Sequence, residues 1–334
     1  MSVPNNIILF HYPYSPFARR VTWYLTLRGI EYAQCIQPPI LPRKDLSDLG
    51  ISYRRIPLMS IGRDVYLDSR LILRKLEAKF PDGALGAKSG EQQGIQRLLE
   101  RYTIDSGLFD RAASLLPSSL PLMQDPKFKK DREEFSGRSW SEEDLEKRKP
   151  ESLVYVRDAF NLLETTLLAD GRDWILRSEK VTLADIEAIW VFHWLVELNA
   201  LPQNVVSAET YPKVYAWIAR FRAALKSAKS SAPKPVSIQG PDAIKHIINA
   251  EFAEPSGGVD KSDPLALNEG DDVELWPIDS GFSHHDRGKL VVLTPEEVTV
   301  ASRNNSHGKE IRIHAGRWGF RVARATGGTE SSRL

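Results

Sequence analysis

The chain has 334 residues, 42% hydrophobic and 27% charged, enough to bury a sizeable core in two or three domains. Its 45 basic and 44 acidic side chains leave a formal charge of +1, so no global field draws in nucleic acid or an acidic membrane surface. The single cysteine, Cys35, excludes an intrachain disulfide framework and fits a reducing compartment.

The first residues, Met1 to Leu9, lack the basic and long apolar regions of a signal peptide. The most apolar stretch, residues 186–196, carries Glu187 and His193 and is too short to span a bilayer. The expectation is a soluble, cytoplasmic protein. Residues 6–10 read as a short strand, followed by a turn at His11-Tyr12-Pro13-Tyr14. Ser15-Pro16 then opens a helix, with serine at the cap and proline at the first helical position, and Gly29 ends it. Residues 31–37 give a second strand, and residues 55–62 and 64–67 a hairpin turned at Gly62-Arg63-Asp64. Asp68-Ser69 caps a helix that closes at Phe80-Pro81-Asp82-Gly83. The order β-α-β, irregular stretch, β-β-α predicts one small mixed sheet.

From residue 91 to 225 helical periods dominate. One apolar stripe contains Ile95, Leu98, Leu99 and Tyr102, another Leu153, Val156, Phe160 and Leu163. Residues 116–151, rich in proline, serine and charge, read as an excursion between helices, and the last helices span residues 183–198 and 213–225. A Lys/Ser/Pro-rich linker is expected over 226–241, then a helix over 242–252. Five short strands from residue 272 to 322 predict a small β-barrel-like module.

Three places carry chemistry. A helix N-terminus at Ser15 offers free N–H groups and a hydroxyl, which together stabilise an anion such as a thiolate. Ser15 also reads as a helix cap alone. Pro57, following Ile56 at a strand entrance, marks an edge, a bulge or a cis bond that turns the Ile56 backbone outward. Asp68-Ser69 is a second helix start with a small hydroxyl, suited to a carboxylate, while Asp68 suits an ammonium group; each pair reads equally as capping.

Taken in order, Ser15, Ile56-Pro57 and Asp68-Ser69 resemble the glutathione S-transferase N-terminal domain, which is thioredoxin-like. The stretch Leu176 to Asp185, with Thr182 and Asp185 at capping-box spacing, and the Tyr211-Pro212 entry to a helix with Trp217 extend the likeness to about residue 225. The resemblance implies a thioredoxin-like glutathione-binding domain over residues 1–85, an all-helical domain over 90–228, and an extra domain over 240–325 with one helix and a small β-barrel. It implies glutathione, as cosubstrate or cofactor, contacted by Ser15, Phe17, Ile56, Pro57, Asp68 and Ser69. Ser15 or Tyr14 activates the thiol, with Tyr12 a third possibility because tyrosines flank the serine. Tyr12, Tyr102, Phe109 and Arg111 border the pocket of an apolar electrophile. Arg43, Lys44, Arg54 and Arg55 are candidates for the glycyl carboxylate. No cysteine lies in the Ser15 turn, which disfavours thiol-disulfide exchange, and Cys35 reads as a small hydrophobe in a strand. His284, His285, His307 and His314 lack metal-ligand spacing, so no metal is expected.

The expected activity is glutathione addition to an electrophilic small molecule by a homodimer. The alternatives are glutathione-dependent cis–trans isomerisation of a conjugated alkene in specialised metabolism, or a catalytically silent scaffold. In the scaffold reading the β-module binds a protein, with Trp276, Phe282, Trp318 and Phe320 as a binding face or as the module's core. A further option folds that module over the pocket as a lid or a dimerisation element.

Overall fold

The computed structural model describes residues 2–255 and 257–325. The first apolar run forms β1 (Ile7–His11) and is buried along its whole length. Ser15 and Pro16 start α1 (Pro16–Arg28), which Gly29 ends, and β2 (Ala33–Ile36) returns parallel to β1. A short α2 (Lys44–Asp48) precedes the antiparallel hairpin β3 (Leu58–Ile61) and β4 (Asp64–Leu67), and Asp68 caps α3 (Ser69–Lys79).

The helical half comprises α4 (Gly90–Asp105), α5 (Leu108–Ser114), α6 (Pro121–Gln124), α7 (Pro126–Ser136), α8 (Glu142–Leu162), α9 (Leu183–Glu197) and α10 (Pro212–Ser231). Within the expected excursion, α8 begins at Glu142 under a Ser141 cap and passes through Pro150, so the helix starts well before its apolar stripe. The central helix α9 is buried nearly throughout. Asp185 at its start accepts hydrogen bonds from Thr182 N–H (2.9 Å), Ile175 N–H (2.9 Å) and Trp217 Nε1 (3.0 Å), which ties α9 to α10. Burial raises the Asp185 pKa against the pull of these donors.

The expected linker over 226–241 is ordered differently. Helix α10 continues to Ser231, β5 (Val236–Ser237) pairs parallel to β2, and α11 (Gly240–Asn249) follows. The last strands are β6 (Asp272–Pro277), β7 (Asp286–Leu293), β8 (Glu297–Ser302), β9 (Ile311–Gly316) and β10 (Phe320–Arg324). They occur where the sequence predicts them, but among the described residues their ladder is open. Strand β10 pairs with β6, and β9 pairs in parallel with β4, so the order is β10-β6-β7-β8-β9-β4-β3-β1-β2-β5. The β4 edge, which would otherwise leave backbone groups unpaired, is thus satisfied by the C-terminal strands.

Alternation along β1 distributes the core. Ile7 and Leu9 join the cluster shared with α1, α3 and the helical half, while Ile8 and Phe10 join the cluster shared with α11 and the C-terminal strands. A polar knot, buried at Asp64 and His314 and partly exposed at Lys75, Glu254 and Glu297, locks the β4–β9 seam. His314 bonds Asp64 (2.8 Å) and Glu297 (2.7 Å), and Lys75 bridges Glu297 (2.8 Å) and Glu254 (2.7 Å). Glu254, Glu297 and His314 lie close enough to be a metal set, but their charges are already met by Lys75 and by one another. Among the described residues no helix is long and apolar enough to cross a membrane.

Candidate functional site

Ser15 is buried at the end of the β1–α1 turn, with extended backbone (φ −68°, ψ 119°). Its N–H donates to Tyr12 O (3.1 Å), and its Oγ accepts from Ala18 N–H (3.2 Å), which leaves the hydroxyl proton free to donate outward. The Ile56–Pro57 bond is cis. Among the described residues no backbone group pairs with the Ile56 N–H or C=O, so both remain for an extended ligand.

Asp68 has φ +70° and caps α3 by accepting from Arg70 N–H (2.8 Å). Burial works to raise its pKa, but the Arg70 guanidinium and the cap hydrogen bond prevail and hold the carboxyl at about 2. Ser69 Oγ accepts from Arg20 Nη1 (2.6 Å), and Arg20, fully buried, also pairs with Glu187 on α9. A polar buttress thus runs from the central helix to the start of α3.

These segments converge on one cavity of about 720 Å³, lined by Ser15, Phe17, Ile56, Pro57, Asp68 and Ser69. A second cavity of about 550 Å³ adjoins it and shares Tyr12, Pro16 and Phe109 with the first. Its walls are mainly apolar, with Phe128, Trp140 and Trp194 prominent, and it also includes Tyr14 and Arg111. Tyr102 borders neither cavity; it packs against the main core from α4. The chain breaks at Gly107 before Phe109, and that break carries Phe109 into the cavity wall without Tyr102.

The candidate activators separate by position. Ser15 lines only the larger cavity, Tyr14 only the apolar one, and Tyr12 both. Tyr14 is 45% exposed, and burial followed by its neighbour Tyr12 raises its hydroxyl pKa, the wrong direction for a phenolate. Cys35 lies in β2 with its side chain buried, where burial first and Asp45 second push its thiol up to about 12.

The basic candidates are largely committed. Arg43 donates to the Pro38 (3.0 Å), Pro39 (3.2 Å) and Arg54 carbonyls, and Arg54 pairs with Asp131 (2.9 Å). Arg55 meets Asp279 and Ser280 O (3.0 Å), whereas Lys44 turns to Asp48 and borders neither cavity. Sequence reasoning missed the far wall. Arg132, Phe135 and Arg138 from α7 and its C-terminal turn, and Asp279, Ser280 and Gly319 from the β-region, line the larger cavity. No motif marks them, because loops and helix faces brought together by folding have no local signature. Of the four β-region aromatics, Trp318 and Phe320 border the cavity, while Trp276 stacks on His285 at 4.3 Å and Phe282 is exposed.

Residues 9–86 match the family model described as glutathione S-transferase, N-terminal domain, and residues 111–230 match a domain of unknown function (DUF7962). No curated protein matches the chain. Among solved structures, a GST-like protein from Pseudomonas syringae is 23% identical, with 96% of this chain and 100% of that chain covered and a TM-score of 0.68. The beta-etherase LigF from Sphingobium sp. strain SYK-6 is 17% identical, with 67% and 99% covered and a TM-score of 0.51. The fold is therefore that of the glutathione transferases, a thioredoxin-like domain and a helical domain, here with a C-terminal β-rich region. Coverage of almost the whole chain by the first structure shows that the likeness includes that region.

Proposed function

We propose that this chain of glutathione-transferase fold binds glutathione in the 720 Å³ cavity and adds its thiolate to an apolar electrophile in the adjoining 550 Å³ cavity. The observation that carries the reading is convergence. Ser15, Ile56-Pro57 and Asp68-Ser69 come from three separate segments, yet they border one cavity that opens on an apolar one.

In this reading the free N–H groups at the start of α1 and the Ser15 hydroxyl stabilise the thiolate. Lowering a thiol pKa from about 8.5 to below neutrality requires roughly 2–3 kcal/mol of preference for the anion. One charge-assisted hydrogen bond with a helix end has that magnitude. The Ile56 backbone pairs with the cysteinyl unit, and the start of α3 takes the γ-glutamyl end. The shared wall at Tyr12, Pro16 and Phe109 brings thiolate and electrophile together, so the rate gain comes from proximity and a stabilised anion. The same thiolate adding to a conjugated alkene and then leaving gives isomerisation. A cytoplasmic homodimer completes the reading, with its contact away from the β4 edge that β9 covers.

The test is thiol stoichiometry with a panel of apolar electrophiles and conjugated alkenes. One thiol consumed per product marks transfer, and product without thiol loss marks isomerisation. No product from any member, at saturating glutathione, would overturn the enzyme reading and favour the scaffold.

A further inference from the structure

The apolar cavity carries more charge in its wall than an apolar ligand needs. Five arginines line it, Arg19, Arg111, Arg132, Arg138 and Arg148, against two carboxylates, Asp110 and Asp279. Four of the five arginines are paired. Arg19 meets Glu197, Arg111 meets Glu151 (3.1 Å), Arg132 meets Asp131, and Arg138 meets Asp110 (3.4 Å). The remaining carboxylate, Asp279, is taken by Arg55, and Asp131 also serves Arg54 (2.9 Å).

Arg148 is the exception. It lies in the second turn of α8, and its Nη2 donates to Ser139 O (2.7 Å), which holds the guanidinium at the cavity wall. Its Nε is buried with no acceptor, and among the described residues none of its nitrogens meets a carboxylate. The acidic groups close to it in the chain are spent. Asp144 accepts from the Ser139 (2.6 Å) and Ser141 (2.8 Å) hydroxyls, and Glu133 accepts from Trp140 N–H (2.9 Å). Burial raises the Asp110 pKa, and of the arginines that oppose it Arg138 acts most strongly, ahead of Arg111 and Arg148. An unpaired guanidinium beside Trp140 and Phe128 is therefore left to attract an anion from a mainly apolar space.

We infer that the electrophile taken by this cavity is an apolar body bearing a carboxylate, and that Arg148 is the residue that selects it. The inference deepens the glutathione reading above and rests on it for the reaction, though not for the binding. Arg148 borders only the apolar cavity, whereas Asp110 and Asp279 stand in the wall shared with the larger one. A carboxylate is thus drawn to the Arg148 side and repelled from the shared wall, which turns the apolar end and its electrophilic carbon toward the thiolate.

The test is calorimetry on the full chain, without glutathione, using trans-naphthylacrylate and its uncharged primary amide. The unaltered protein should bind the acid about tenfold more tightly than the amide, the worth of one hydrogen bond to a charged group. Arg148→Gln should abolish that preference by weakening the acid alone, and Arg148→Met serves if Arg148→Gln fails to fold. Arg148→Lys, which keeps the charge, should retain part of the preference. Equal affinity for acid and amide in the unaltered protein, or binding of neither, would overturn the inference. So would a preference that survives the loss of Arg148, or equal losses for both probes, the mark of a structural role. Glutathione titrated separately keeps the two readings apart: its failure to bind would overturn the proposed function and leave the comparison of acid with amide intact.

Discussion

Replacing Ser15 by alanine separates two roles that differ in size and in readout. The Oγ accepts from Ala18 N–H at 3.2 Å, and losing that cap costs about 1 kcal/mol of stability. In a protein of this length such a loss lowers Tm by only a few degrees. The hydroxyl proton has no acceptor among the described residues, and in the proposed complex it meets the thiolate. A hydrogen bond to a charged group contributes about 1.5–3 kcal/mol. At 1.36 kcal/mol per pKa unit, the bound thiol in Ser15→Ala should titrate about 1–2 units higher than in the unaltered protein. Affinity for the neutral thiol form should scarcely change, because the α3 and Ile56 contacts are untouched. Ser15→Thr, which keeps the hydroxyl, should retain most of the depression. The assay is ultraviolet absorbance of the thiolate against pH at saturating glutathione, with a thermal melt alongside. An unchanged thiol pKa in a folded, glutathione-binding Ser15→Ala protein would refute the reasoning and move the role to Tyr12, which borders both cavities.

Two further predictions concern the seam between the thioredoxin-like domain and the C-terminal strands. Burial lowers the His314 pKa, but the hydrogen bonds to Asp64 and Glu297 outweigh it and raise the value above 6.5. Because the folded value exceeds the unfolded one, this stabilisation is complete below about pH 6.5 and is lost as pH rises through the folded pKa. The urea midpoint should fall over that range and lose this dependence in His314→Gln; the same pH dependence in both proteins would contradict the assignment. Gly50 has φ +76°, and a Cβ there would lie 2.4 Å from Asn304 O, a backbone atom of the β8–β9 loop. Gly50→Ala should therefore destabilise the protein by at least about 1 kcal/mol, read from the urea midpoint, and an unaltered midpoint would mean that the loop does not rest on α2.

Much of this was legible in the sequence because local chemistry decided it. Ser15-Pro16 and Gly29 bound α1, the Gly62 turn sets the β3–β4 hairpin, and Thr182 with Asp185 starts the buried helix. The C-terminal strands announced themselves by composition, and only their partners were hidden. The pairing of Tyr66 with His314 joins residues far apart in the chain, and an edge strand that will be covered looks like one that will not. Val236–Ser237 is a two-residue strand in a lysine- and proline-rich stretch, too short for any period to reveal. The candidate site divides in the same way. Ser15, Pro57 and Asp68 sit at element boundaries that motifs mark, whereas Arg138, Asp279 and Trp318 acquire meaning only from what they touch across the fold.

The most direct test of the central claim is a calorimetric titration of the unaltered protein with glutathione, followed in the same samples by ultraviolet absorbance across pH. The account predicts saturable binding and a bound thiol titrating well below its free value of about 8.5. Absence of binding would contradict it outright, and binding with an unshifted thiol would contradict the role given to the start of α1.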